Sequence, residues 1–197
     1  MTDAAVTFST AGILIAVAAP LLLTVALALV ARAVPPAVRV PGVAGGVGGL
    51  MLVFFFFLAA EATFVLFQFG RAAGEAAGVI AMDASFAWPA LKTIIPQGIA
   101  AIGMVVTLLL LTVGRSPGAL YGAVAAFWAA GPVADLLRMP LLGIPFDVSQ
   151  NFMGISAFTI IATCYLLFST RTSLLYGTRS GRQIAARYEA IRKTNEA

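Results

Sequence analysis

Long apolar runs divide the chain, each bounded by charge, proline or glycine. A bilayer core is about 30 Å thick and takes roughly 20 apolar residues to cross as a helix. Runs of that length predict five spans, over about residues 8–31, 44–69, 94–114, 117–135 and 149–170. Residues 1–170 thus read as one transmembrane helical bundle and 171–197 as a basic cytoplasmic tail. The first run holds 28 uncharged residues between Asp3 and Arg32, with no basic residue ahead of it. That pattern predicts a mature helix rather than a signal peptide.

The connections are short, with one exception. Pro35, Pro36 and Pro41 make a stiff turn that no helix runs through. In Arg115-Ser116-Pro117, Ser116 is placed to cap the fourth helix and Pro117 to take its first position. The stretch from Arg71 to Lys92 holds Glu75, Asp83 and Trp88-Pro89, and predicts an outer loop with an interfacial or re-entrant piece. In the tail, Ile184, Tyr188 and Ile191 recur at i, i+4 and i+7 among basic residues. This predicts an amphipathic helix on the anionic leaflet or on a partner.

Charge then orients the bundle. With the N-terminus outside, Arg32, Arg39, Arg115, Arg171, Arg179, Arg182, Arg187, Arg192 and Lys193 fall on one side, and Arg71, Lys92 and Arg138 on the other. Nine against three predicts that the first side and the C-terminus are cytoplasmic. A sixth span through residues 72–91 would bury Glu75 and Asp83 and spoil this split.

Composition agrees with the pattern. The chain has 197 residues, 61% hydrophobic and 10% charged, with a mean hydropathy of +1.01. Soluble domains carry about 25% charged residues. Ten arginines against two lysines, with abundant alanine, glycine and valine, fit GC-rich bacterial coding and hence a bacterial inner membrane. The net charge of +4 sits beside the spans and at one terminus, so it predicts topology and anionic-lipid contact, not nucleic-acid binding. With no histidine and one cysteine, the chain lacks the residues for imidazole catalysis, His-ligated haem, a usual zinc site or an internal disulfide. P-loop, nucleophile-elbow and HExxH motifs are absent, so neither an enzyme nor a cofactor is expected.

Small residues four apart let helices approach closely in lipid. Gly12, Ala16, Pro20, Thr24 and Ala28 form such a stripe, as do Gly42/Gly46, Gly45/Gly49 and Gly118, Gly122, Ala126 and Ala130. They predict a tight centre of the first, second and fourth helices, with Gly45, Gly49, Gly118 and Gly122 at contacts and the third and fifth helices peripheral.

Glu61 is the sharpest functional candidate, because a carboxylate within a span is costly. Glu61, Gln68, Arg71 and Glu75 follow at helical spacing and predict a polar track for an ion, proton or substrate. The depth of Glu61 turns on where the helix enters the core: entry near Val43 leaves it interfacial, and entry near Leu50 makes it central. Tyr121, Trp128 and Asp135 share a stripe best read as belt and packing residues, and Asp135 with Arg138 as an outer ion pair. Cys164 reads as a buried, inert thiol. Two functions compete. The favoured one is a non-catalytic subunit or accessory component of a larger membrane complex, partnered by other membrane subunits or by copies of itself. The alternative is a small transporter or channel component with Glu61 in the path.

Overall fold

The computed structural model describes residues 10–43, 46–143 and 150–196. Among the described residues every regular element is helical: α1 (Thr10–Ala33), α2 (Leu50–Met82), α3 (Ala87–Thr112), α4 (Pro117–Trp128), α5 (Ala134–Leu142), α6 (Gln150–Phe168), α7 (Thr170–Tyr176) and α8 (Arg179–Glu196). A 3-10 turn joins α2 to α3, and one π-helical turn joins α4 to α5. Among the described residues four helical stretches are long and apolar enough to cross a membrane, and a fifth counts if α6 and α7, bent by 67°, are one span.

The largest departure from the sequence reading is α2. It begins at Leu50 rather than residue 44, because the preceding glycines serve as turns. Gly42 and Gly49 have φ of 78° and 55°, values that side chains resist. Gly49 is therefore a turn residue beside the Arg171 guanidinium, not a helix-packing contact. Gly45 lies outside the described residues, as do the outer ends of the first and fifth predicted spans.

At its other end α2 continues for 33 residues, about 50 Å. Residues 72–82 are thus an ordinary continuation of the helix, not a loop. Alanine dominates there, no proline intervenes, and Arg71 pairs with Glu75 one turn on. The Asp83 side chain stops the run by accepting the Ser85 amide at 2.8 Å, and α3 starts within four residues.

The predicted centre is also corrected. α3, expected at the rim, packs against α1, α2, α4, the π turn and α5. Pro96, Ala100, Gly103, Thr107 and Leu111 are buried along one face at spacings of three and four. A methyl group on Gly103 would lie 2.8 Å from the Ala126 carbonyl oxygen, so α3 and α4 touch backbone to backbone. Thr107 donates to Gly103 O at 2.8 Å and reaches Ala123 O at 3.3 Å, continuing that seam. Gly122 faces α3 through the Leu110 side chain, whereas Gly118 is exposed, with nothing nearer than Ser116 Oγ. α1 packs on α2 only over its second half, where Pro20, Thr24, Ala28 and Ala31 are buried and Ala16 is exposed.

The end rich in arginine is knotted rather than frayed. α7 was expected to open the solvated tail, yet residues 172–178 are all buried. Tyr176 donates its hydroxyl to Leu111 O at 2.6 Å, and the Arg115 guanidinium lies 5.9 Å from the Tyr176 ring centroid. Arg115 also donates to Ala31 O at 2.6 Å and Gly114 O at 2.7 Å. Ala37 and Val38 of the proline turn donate to Leu175 O and Leu174 O. Helix C-termini carry unsatisfied carbonyls and partial negative charge, and these donors supply both needs.

Candidate functional site

Phe54, Glu61 and Gln68 stand seven residues apart on α2 and therefore share a face. Toward the arginine end this face closes against α6. The Phe54 and Tyr165 rings lie 5.5 Å apart, and the Phe57 and Phe158 rings 6.4 Å apart. Beyond these pairs a cleft opens, in two adjoining chambers of about 220 and 160 Å³. Glu61, Ala130, Gly131 and Ile155 line both. The first chamber is completed by Met104, Phe127, Gly154, Phe158 and Thr159. The second leads past Gln68, Gln97, Asp135 and Arg138.

Depth along the helices sorts these groups. Glu61 is eleven residues from the start of α2, about 16 Å, which is half the thickness of a bilayer core. Gln97 lies about 22 Å from the arginine end of α3, and Gln68 and Asp135 about 27 Å from the starts of α2 and α4. The polar lining therefore descends from one face of the bundle and ends at Glu61.

The far wall of the cleft is the π turn, Ala129–Val133. Pro132 has no N–H to give, and the widened turn absorbs the missing bond. Gly131 sits where a methyl group would come 3.1 Å from both Ile155 Cγ2 and Thr159 Oγ1, so α6 closes on bare backbone there. π turns recur at functional sites because they redirect side chains without ending the helix. Here Asp135, two residues past the turn's end, lines the second chamber.

The charges are unequal. Arg138 pairs with Asp135 at 3.3 Å, and the Asp135 side chain is only 15% exposed. Glu61 is half-buried and receives no hydrogen bond or ion pair among the described residues. The Gln97 side-chain oxygen is buried without a donor. The cleft thus presents one uncompensated carboxylate and one unanswered acceptor.

Of the predicted track, Glu61 and Gln68 line the cleft. Arg71 and Glu75 do not: they pair with each other at 2.7 Å with side chains 65% and 63% exposed. Tyr121 is exposed, and Trp128 donates to Thr163 Oγ1 at 3.0 Å, tying α4 to α6. Cys164, expected inside, is exposed, because α6 turns Thr159, Ala162 and Leu166 inward instead. Gln97 was missed, although it is the lone amide in the run 94–114. No cluster of three or more metal-ligating side chains occurs among the described residues. The chain matches no known family model, no characterised protein and no solved structure.

Proposed function

We propose that the protein carries a proton or a small cation across a bacterial inner membrane, with Glu61 as the binding group. In this reading five spans cross the bilayer, the N-terminus lies outside and the arginine end faces the cytoplasm, as the nine-to-three division of basic residues favours. The observation that supports transport is the unpaired Glu61 carboxylate at the foot of a polar cleft. A carboxylate at mid-bilayer costs about 2.5–3.5 kcal/mol on insertion scales, and it is retained where it binds something. Asp135 and Arg138 offset each other, leaving one negative charge for one positive passenger. Gln97 and Gln68 would replace part of the hydration that the passenger loses on entry.

Below Glu61 the way is shut by Phe54, Leu58 and Tyr165. Passage requires the α2–α6 ring pairs to part while the mouth of the cleft narrows, and the π turn is the element able to change register. The test is flux in proteoliposomes. Glu61→Gln should abolish proton or cation flux with expression and assembly intact, and Arg71→Gln should leave flux unchanged. Wild-type flux equal to that of protein-free vesicles, or an active Glu61→Gln, overturns the proposal.

The one-sidedness of the cleft favours a second reading, the accessory subunit. A blind polar pocket also suits the side chain of a partner. Co-purification from native membranes separates the two: a stoichiometric partner, with Glu61→Gln releasing it, supports the subunit.

A further inference from the structure

A second cavity, of about 440 Å³, lies between α1 and α2 on the face away from the carboxylate cleft. Its walls are apolar, set by Leu21, Val25 and Leu29 of α1 with Val53 and Phe56 of α2. Arg32 stands at one end. From Leu21 to Arg32 is eleven residues, about 16 Å, which matches one leaflet of a bilayer core and not its full thickness.

We propose that this groove holds one acyl chain of an anionic phospholipid, with its phosphate on Arg32. Length decides against a partner helix, which would need a groove running the whole height of the span. Charge decides the headgroup. Arg32 donates by Nε to Val47 O at 3.3 Å and pairs with no carboxylate among the described residues. Arg115 gives its hydrogen bonds to backbone carbonyls, and Arg171 donates to Gly48 O, so among the described residues neither neighbouring guanidinium is neutralised by an acid. A phosphate at this level meets positive charge and spare guanidinium N–H groups. Thr24 does not make the groove polar, because its hydroxyl donates to Pro20 O at 2.7 Å.

The experiment is native mass spectrometry of the full chain released from equimolar palmitoyl-oleoyl phosphatidylglycerol and phosphatidylcholine. Wild type should retain one phosphatidylglycerol in preference to phosphatidylcholine. Arg32→Gln should reduce that preference on the order of fivefold. Val25→Trp, which fills the groove from an exposed position, should lose the retained lipid. Arg179→Gln, on α8, should match wild type. Retention without headgroup preference, retention unchanged in Val25→Trp, or a polypeptide crosslinked from Val25→Cys in place of lipid would each overturn the assignment.

Discussion

Replacing Gly103 with alanine adds a single methyl group at the closest backbone approach in the bundle's centre. The new Cβ would sit 2.8 Å from Ala126 O, 3.0 Å from Ala130 Cβ and 3.1 Å from Ala130 N. Comfortable separations for such atoms are about 3.5–4.0 Å, so α3 and α4 must part by roughly half an ångström. None of the three atoms is the end of a flexible side chain, so backbone has to move. Overpacking of this kind costs about 1–3 kcal/mol, against a gain of up to about 1 kcal/mol in helix propensity. The expected net loss is about 1–2 kcal/mol. Two other glycines calibrate it. At Gly122 the new methyl would meet only Leu110 Cδ1 at 3.2 Å, and that side chain can turn, so the cost should stay below about 1 kcal/mol. At Gly74 nothing lies within 4 Å, and alanine should be neutral or stabilising. Equilibrium unfolding in mixed micelles gives all three on one scale. A Gly103→Ala variant as stable as Gly74→Ala would refute the backbone-to-backbone account of the α3–α4 seam.

Two further outcomes follow from the ends of the bundle. Tyr176→Phe should lose about 0.5–1.5 kcal/mol in the same unfolding assay, because Leu111 O keeps only the longer bond from Arg115, at 3.3 Å. Asp83 caps the 3-10 turn, and its hydrogen bonds from Ser85 hold its carboxyl below the ordinary value of 3.8. A depressed folded value means that the cap's contribution is present above 3.8 and is lost as pH falls through the lower, folded value. Carbon-detected NMR titration of Asp83 should therefore show a midpoint under 3.8, and Asp83→Asn should remove that acid-side dependence from the turn.

How much of this was legible depends on which forces set each feature. Hydropathy located the apolar cores of the spanning-length helices, because each is long and apolar enough to cross a membrane whatever it packs against. The cap at Ser116 was legible too: its Oγ accepts the Ala119 amide at 3.1 Å, with Pro117 at the first helical position. The extent of α2 was not. Hydropathy falls at Arg71 and Glu75, but helix formation beyond the core obeys propensity and pairing in water, and an alanine-rich segment without proline continues. The rank of α3 was hidden for a different reason. Glycine pairs spaced by four point to the wrong helices, since Gly42 and Gly49 are spent on positive φ, while the working contact joins Gly103 to Ala126 and Ala130. α7 misled through Arg171 and its polar neighbours, because Arg171 donates to Gly48 O in the turn before α2 and residues 172–178 are buried rather than solvated.

In the candidate site, Glu61 stands out in the sequence because it is anomalous against its own helix, and it lines both chambers of the cleft. The spacing that extended it to Arg71 and Glu75 is correct on a helical wheel and fails on depth. Those residues lie about 32 and 38 Å from the start of α2, farther than the roughly 30 Å that a bilayer core measures, and pair with each other on the exposed surface. The remaining lining comes from other helices. Gln97 and Asp135 line the same chamber as Glu61, where Pro132 sits in the π turn and Gly103 and Gly131 let neighbouring helices approach closely. None of those three positions carries a functional group, so no scan for chemistry would select them. They also define what the cleft can do. Gly103 fixes one wall to α3, and Gly131 leaves the other held to α6 by Ile155 and Thr159. In the proposed transport reading, alternating access to Glu61 would shear α6 along the π turn while the α3–α4 seam stays whole.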